Sequence, residues 1–432
     1  MKCIRVKSLC CRECAERTYR CSLRLVALLV VGTLYVTGWL RLSPAQAETR
    51  FIPSVSLEER YDSNVWYGPK ESVPPGGQEW DLVTTAQAQA HIENKSRLGD
   101  TIVDAGVTAS TFAYNTDLAF VSTNVAVSSD LTDWAKELLP GLKFNISDSF
   151  LYTPETPAFL AGGKPAESDV FSRGLQAVRA NTFKNIASAQ TAYSLSRSVD
   201  LRSAYSYAIY RVGQLFATSP TQFGAAFFDT TVHTLAAGPT YRLEGGDTLF
   251  LKYGYTTAES VPTSGAGQSI NYSAHTIAPE YVSAFFRGWT LTMSGGATLI
   301  EQAGNRTLFS GRLALGTNLD PALRVQASVS RQVSPAFFGT GGAMISNVAQ
   351  LYISQRFSKV LQLTVSGSYA HNESEPVQSF RFDSVVASAA LEYKITRTYK
   401  VSLSQEYNHF SYTGTAPFDR YATMFTITAE WK

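Results

Sequence analysis

The sequence predicts an all-β protein, a transmembrane antiparallel up-and-down β-barrel of about eighteen strands, with sixteen strands as the alternative. Apolar and polar residues alternate along segments of about 12 to 15 residues, whereas strands of soluble sheets average about five to six. The connections between these segments alternate between long and short. Only 17% of the 432 residues are charged, which is below the roughly 25% typical of soluble domains. The 24 Phe and 22 Tyr exclude a disordered chain.

Residues 1–47 are predicted to form a secretory signal peptide, which leaves residues 48–432 as the outer-membrane barrel. Basic side chains outnumber acidic ones at the start of this segment, and an apolar stretch follows over residues 25–40. Ala45 and Ala47 then form the small-x-small pattern that signal peptidase accepts. We expect cleavage after Ala47, and an uncleaved membrane anchor is the alternative.

The composition excludes several classes of site and partner. All five cysteines lie within the first 21 residues, so no disulfide stabilises the predicted barrel. Cys10, Cys11 and Cys14 lack the further ligands that a zinc site needs. Acidic side chains outnumber basic ones over residues 48–432, which gives no electrostatic footprint for nucleic acid. We therefore expect no metal, no cofactor and no nucleic-acid partner.

Period-two alternation recurs along the whole predicted barrel. In residues 399–407 the odd positions are mostly apolar and the even positions are all polar, so one face of the strand is apolar and the other is polar. A short stretch around Trp134 is the one place where a helical turn is expected. The alternation predicts strands at 50–62, 79–92, 100–113, 118–130, 141–153, 178–197, 200–213, 228–242, 246–258, 269–283, 287–300, 306–318, 322–333, 344–357, 361–372, 379–395, 398–411 and 418–431.

A soluble sandwich and a membrane barrel share this binary pattern, so other features must separate them. A sandwich buries the apolar face between two sheets, whereas a membrane barrel turns it toward lipid and its polar face toward the lumen. The long strands, the alternating connections, the repeated tyrosines and the predicted export favour the barrel. Because an open sheet edge in hydrocarbon leaves backbone groups unpaired, the sheet is expected to close. An even strand number returns both termini to the periplasm of a Gram-negative cell.

The final predicted strand resembles the closing strand that the barrel assembly machinery recognises in outer-membrane proteins. Its aromatic and apolar residues alternate with polar ones up to the penultimate position of the chain. The family pattern ends in an aromatic residue, whereas this chain has Lys432 after its last aromatic. The residues that carry the resemblance are Tyr421, Phe425, Ile427 and Trp431.

Residues 53–65 resemble the opening strand of the β-barrel porin 2 family and of related outer-membrane proteins encoded with exopolysaccharide machinery. A hairpin repeat, in which Tyr193 leads into Tyr205 and Tyr393 leads into Tyr407, adds to this resemblance. The resemblance implies an eighteen-stranded barrel that exports a secreted polysaccharide, with a periplasmic polysaccharide-export protein as a partner. Outer-membrane lipid, lipopolysaccharide and the barrel assembly machinery are the other expected partners.

A barrel of this size is wide enough for an aqueous channel. The strand register places charged residues of both signs on the inward face, which suits a polar solute or a sliding polymer better than a single ion. The alternative for each residue is that it only pairs across strands. The candidates for lining the lumen are Glu58, Arg60, Arg202, Lys252, Arg312, Arg324, Arg356, Glu392, Lys400, Glu406 and Glu430.

Three connections are rich in glycine and aromatic residues, 154–177, 335–342 and 215–228, and the first two contain the candidates for a constriction or plug. Apolar side chains gain nothing from water in an external loop, so these loops are expected to fold inward; mobile external loops are the alternative. Their aromatic faces could also stack on sugar rings. The candidate residues are Phe159, Leu160 and Phe171 in the first loop and Phe337 and Phe338 in the second.

Three classes of function therefore remain. The first is a transport barrel, either a polysaccharide exporter, which we favour, or a general diffusion porin for small polar solutes. The second is a plugged structural barrel. The third, a barrel hydrolase, is disfavoured because no GxSxG, HExxH or phosphate-binding glycine loop is present. His409 has polar neighbours but is more simply a histidine of the rim.

Overall fold

The computed structural model describes residues 48–154, 180–215, 226–263, 268–286, 288–302, 304–320, 322–336, 338–339, 342–375, 381–414 and 416–431. The predicted signal peptide with Ala45 and Ala47 lies outside the described residues. So do three of the constriction candidates from the first loop, Phe159, Leu160 and Phe171, and Phe337 from the second. Among the described residues, no helix is long and apolar enough to span a membrane.

The described chain is almost entirely β-strand, as the alternation predicts. One short helix, α1 (Thr132–Leu138), lies where a helical turn is expected. The strands are β1 (Glu48–Asp62), β2 (Asp81–Ser96), β3 (Gly99–Phe112), β4 (Phe120–Asp130), β5 (Leu142–Thr153), β6 (Ala180–Ser194), β7 (Val199–Leu215), β8 (Ala226–Arg242), β9 (Thr248–Pro262), β10 (Ile270–Phe286), β11 (Trp289–Gln302), β12 (Gly304–Asp320), β13 (Leu323–Pro335), β14 (Phe338–Gly339), β15 (Ala343–Arg356), β16 (Leu361–Glu375), β17 (Arg381–Lys394), β18 (Tyr399–Tyr412) and β19 (Phe418–Glu430).

The sheet closes into a barrel. Each wall strand pairs with its neighbours along the chain, and β1 pairs antiparallel with β19 from Ser54 opposite Glu430 to Asp62 opposite Ala422. The two-residue strand β14 stands apart from the wall, which leaves eighteen wall strands in the described part of the chain. The prediction of a closed antiparallel barrel of about eighteen strands is confirmed, and each predicted strand end lies within four residues of the observed one.

Short turns join the strands at the end of the barrel where β1 begins and β19 ends, except between β4 and β5, where α1 lies. At the turn between β8 and β9, Gly245 and Gly246 have φ angles of 90° and 92°, which residues with a Cβ rarely adopt. Most connections at the opposite end are longer, including residues 63–80 between β1 and β2, although only one residue separates β11 from β12. In outer-membrane barrels the short turns face the periplasm and the long loops face outward. We call the two ends periplasmic and extracellular on this basis.

The two faces of the wall have the expected polarity. Leu57 and Ile427 lie directly opposite each other on β1 and β19, and 50% and 44% of their surfaces are exposed. Large apolar side chains recur at such exposed positions around the barrel, so this is the outer face. Arg420 and Asp62 lie on the other face, where contacts join strands and loops across the interior. This is the inner face.

The ladder between β10 and β11 is interrupted beside Pro279, in addition to a register shift between Ala284 and Phe286 near its periplasmic end. Pairing runs to Ile277 and resumes at Glu280, with Pro279, which has no N–H to donate, in the gap. Opposite this gap lies Gly296, and a Cβ added there would lie 1.9 Å from the carbonyl oxygen of Ile277. Gly316, on the inner face of β12, has room for a Cβ, since its nearest neighbour would be the Gln326 Cγ at 3.9 Å.

We predict that Gly296→Ala lowers the free energy of unfolding by about 1–3 kcal/mol, because backbone atoms must shift to admit the methyl group. The matched variant Gly316→Ala should change it by no more than about 1 kcal/mol. Denaturant unfolding of the refolded barrel, followed by its heat-dependent gel mobility, measures both. Equal midpoints for the two variants would contradict the close approach at Gly296.

Candidate functional site

The interior of the barrel is the candidate functional site. The strand register places the eleven charged residues predicted for the lumen on the inner face, because residues directly opposite each other on paired strands share a face. The structure does not leave them all in one environment. Lys400 and Glu392 form an ion pair of 3.5 Å and are both partly exposed, whereas Arg60 and Glu406 are buried.

Burial of the inner face changes along the height of the barrel. On β16 the inner-face residues from Gln362 to Ser368 are partly exposed, and Asn372 and Ser374, nearer the extracellular end, are buried. On β1 the same change occurs between Glu58 and Arg60. Thr230 and Ser260 are likewise buried near the extracellular ends of β8 and β9, whereas Asp200 and Thr240 are exceptions, buried at the periplasmic ends of β7 and β8. Most inner-face residues are therefore partly exposed in the periplasmic half, which we call open, and buried in the extracellular half, which we call filled.

A buried group of four charges lies where the barrel closes. Arg60, Asp62, Glu406 and Arg420 have exposures of 4%, 0%, 8% and 1%, and they project inward from β1, β18 and β19. Arg420 donates from Nε and Nη2 to the two carboxylate oxygens of Asp62, at 2.9 and 2.6 Å. Its Nη1 donates to Glu406 Oε1 at 3.0 Å. The bidentate pair joins the first strand to the last.

The segment 63–80 folds into the extracellular half and covers this group. Tyr67 is buried, with φ of 54°, and the Arg420 guanidinium lies 5.0 Å from the centre of its ring. Asn64 donates from Nδ2 to the carbonyl of Gly68 at 2.7 Å and so closes the turn that presents Tyr67. We call residues 63–80 the inner loop.

Apolar contacts hold the inner loop against the wall. Val65 and Trp66 pack on Val83 of β2 and Phe112 of β3, together with Leu118 from the next extracellular connection. The Trp66 indole Nε1 donates to the carbonyl of Gln78 at 2.8 Å. All five apolar side chains are buried, so the loop is packed as part of the protein core.

Asp81 and Asn115 join the inner loop to the β3–β4 connection. Asp81 is fully buried and accepts hydrogen bonds from the backbone N–H groups of Ala113, Tyr114 and Asn115. Asn115 Nδ2 also donates to Asp81, at 2.8 Å, and to the carbonyl of Gln78, at 3.0 Å. These bonds satisfy a buried carboxylate and fix both segments in place.

A second inward contact comes from β14, in the connection between β13 and β15. Phe338 and Gly339 pair antiparallel with Phe227 and Ala226, at the extracellular start of β8. Because β9 to β12 separate β8 from β13 in the wall, this connection reaches across the extracellular opening. Arg306 on β12 and Glu375 on β16 form an ion pair near the same opening. Phe338 therefore lies in a segment that crosses the opening, and its role as a constriction residue stays a prediction.

The open periplasmic half carries charges of both signs. Beside β2 and β3, His91 Nδ1 lies 2.6 Å from Asp104 Oδ1, and His91 Nε2 lies 3.1 Å from Glu93 Oε1. Farther along the wall, Arg202 of β7 and Lys252 of β9 border one shallow pocket. Neither cation is within ion-pair distance of a carboxylate among the described residues. The remaining lumen candidates, Arg312, Arg324, Arg356 and Glu430, lie on the same inner face of their strands.

The closing-strand residues and His409 lie on the outer face. About half of the surface of each of the residues Tyr421, Phe425, Ile427 and Trp431 is exposed on this face. His409 Nδ1 lies 2.8 Å from Asp419 Oδ1, which also accepts a hydrogen bond from the Tyr407 hydroxyl at 2.8 Å. Among the described residues, no serine hydroxyl hydrogen-bonds to His409.

Sequence patterns do not point to several of the residues that organise the interior. Asp62 and Arg420 are 358 positions apart in the chain, and only the closure of the barrel brings them together. In the sequence alone, Asp81 is an ordinary polar residue near the start of a predicted strand. One feature of the sequence could have suggested this pair. Asp62 and Arg420 lie at positions of the first and last strands whose side chains are predicted to face inward.

We predict that Arg420→Met lowers the free energy of unfolding by about 3–5 kcal/mol, because Asp62 and Glu406 are left buried without their shared cation. Lys400→Met removes the partly exposed partner of Glu392 and should cost no more than about 1 kcal/mol. Denaturant midpoints of the two variants in the same detergent provide the comparison. If Arg420→Met unfolds no earlier than Lys400→Met, the buried group does not stabilise the closure.

The chain is similar to several solved structures. OccK2 (OpdF) of Pseudomonas aeruginosa, in complex with glucuronate, matches with 9% identity and a TM-score of 0.43 over 88% of this chain and 98% of that one. OccAB4 of Acinetobacter baumannii matches with 9% identity and a TM-score of 0.43 over 90% and 100%. A BenF-like porin from Pseudomonas fluorescens Pf-5 matches with 9% identity and a TM-score of 0.43 over 89% and 99%. No family model and no curated protein matches the sequence.

Proposed function

We propose that this chain is a channel of the Gram-negative outer membrane that passes small polar solutes. The observation that carries the proposal is the closed wall of eighteen strands, apolar on its outer face and polar on its inner face, with an interior that is open in its periplasmic half. Lipid around the outer face and water around the inner face satisfy both surfaces. A predicted signal peptide agrees with this location.

The filled extracellular half favours small solutes over a polymer. A polymer needs a continuous wide passage, whereas the inner loop and the contact between β14 and β8 narrow this one. Export of a polysaccharide, with a periplasmic export protein as partner, therefore has only the sequence resemblance in its favour. Loss of surface polysaccharide in a deletion strain with unchanged solute uptake would reverse this preference.

The lumen residues divide the proposed path into two parts. Arg202 and Lys252 would meet a solute in the open half, because they project into the interior beside Asp200 and neither lies within ion-pair distance of a carboxylate among the described residues. Arg60 and Glu406 would act indirectly, since their charges are held in the buried group beneath Tyr67. On this proposal the inner loop sets the width of the path and the open half supplies its polar lining.

We predict that shortening the inner loop raises single-channel conductance in planar bilayers several-fold. The Val65 N–H donates to the carbonyl of Glu79 at 2.9 Å, so the two residues are close enough for an Asn-Gly turn to replace residues 66–78. The matched control replaces Lys70 and Glu71, which are exposed in the same loop, by alanine and should conduct as the wild type does.

Two results would contradict the proposal. Absence of current from both the wild type and the shortened variant, with normal heat-dependent gel mobility, would indicate a plugged structural barrel. Equal and large currents from both would show that the inner loop does not narrow the path.

A further inference from the structure

Three arginines and no lysine project from the outer face of the described wall strands. Arg211, Arg331 and Arg381 all lie toward the extracellular ends of their strands. A cation that faces lipid is costly, and the cost rises toward the middle of the membrane. Each of these arginines therefore needs an anionic or polar partner.

Arg331 differs from the other two in its partners. Arg211 Nε lies 3.8 Å from Asp229 Oδ2, and Arg381 Nε lies 3.2 Å from Glu373 Oε1. Arg331 Nη1 donates to the neutral amide oxygen of Asn347 at 2.8 Å. Among the described residues, no carboxylate lies within ion-pair distance of Arg331.

The neighbours of Arg331 on the outer face do not supply the missing charge. Gly311 and Asn347 lie directly opposite it on the two adjacent strands, and His371 follows Asn347 on β16. The next position in this row is Asp383, which is engaged by His371, with Nδ1 at 2.7 Å. No neighbouring carboxylate in the described part of the chain therefore balances the charge of the Arg331 guanidinium. Most of its five N–H donors are available to an external partner.

A groove borders Arg331 on the outer wall. Small residues, Gly311 and Ala349, form low points between the Phe309 ring, which is 66% exposed, and Tyr369. A Cβ at Gly311 would lie 3.1 Å from the Phe309 ring, so the space depends on glycine.

The groove is polar at Arg331 and Asn347 and apolar on their periplasmic side, and the Phe309 ring lies one step beyond them toward the extracellular end. The row of residues one step toward the periplasm from Arg331 is apolar across five strands. Its members are Met293, Leu313, Val329, Ala349 and Tyr369. Arg331 lies four residues from the end of β13, which places it about 10 Å below the extracellular end of the strand. The polar end therefore faces the outer leaflet and the apolar end faces the membrane interior.

We propose that this groove binds a phosphate-bearing lipid of the outer leaflet, with its phosphate on Arg331 and an acyl chain along Leu313, Val329 and Ala349. The proposal rests on the outer-membrane location proposed above. Arginine binds phosphate through two parallel N–H donors, and an amphiphile matches a groove with one cationic end and one apolar end. A second copy of this chain is the competing occupant, and the oligomeric state of the variants separates it from a lipid.

Diphosphorylated lipid A, titrated into the purified full chain in detergent and followed by native mass spectrometry, tests the site. The wild type should bind one molecule, and Arg331→Gln should weaken binding at least about tenfold, as loss of a charge-assisted hydrogen bond predicts. Ala349→Leu fills the groove and should weaken binding with Arg331 intact. Arg211→Gln removes an outward arginine that already faces Asp229 and should bind as the wild type does.

The arms of the experiment separate the alternatives. Unchanged binding by Arg331→Gln, or equal binding of lipid A stripped of phosphate, overturns the assignment of the phosphate. If inorganic phosphate at the same concentration as lipid A displaces the lipid, the acyl chain contributes nothing to binding, and the proposed role of the groove is overturned. The wild type could instead form an oligomer that binds no lipid and that Ala349→Leu converts to monomers. That result would make the groove a contact between subunits and overturn the proposal. If the chain conducts in bilayers but binds no lipid A, only this inference fails, whereas failure to insert into bilayers contradicts the proposed location.

Discussion

The pairing of the first wall strand with the last is the constraint on which the rest of the structure depends. In hydrocarbon each unpaired backbone N–H or C=O costs several kcal/mol, so a sheet of this length is tolerated there only as a closed wall. The ladder between Ser54–Asp62 and Ala422–Glu430 supplies that closure. Asp62 and Arg420 add a bidentate ion pair across the same seam at its extracellular end. The seam is therefore closed by backbone bonds along its length and by buried charge at its end.

The buried group at the seam also connects closure to the width of the interior. Arg420 holds Asp62 and Glu406 on one side and lies under the Tyr67 ring on the other. The inner loop is thus anchored at a point that exists only after the barrel has closed. Burying four charges carries a large desolvation cost, which is offset here by direct pairing within one neutral group. The result is a packed cover over the extracellular half and an open periplasmic half.

Much of the wall could be predicted from sequence because the face of each residue is a local property. In β18, the alternation of Lys400, Ser402 and Ser404 with Val401 and Leu403 is enough to assign both faces. The two-residue strand β14 could not be predicted, because its partner lies on β8, more than a hundred residues away in the chain. The pairing of Asp62 with Arg420 and the position of Tyr67 are likewise products of closure. A period-two pattern also cannot show that the same inner face is wet at one end of the barrel and packed at the other.

Thiol accessibility tests the central claim, that the inner face borders water while the outer face borders lipid, most directly. No cysteine occurs after residue 21, so single cysteines can be placed at adjacent positions of β16, Ser366 on the inner face and Val365 on the outer face. In proteoliposomes a charged maleimide should label Ser366→Cys rapidly and leave Val365→Cys unlabelled. Labelling of Val365→Cys with protection of Ser366→Cys would contradict the account.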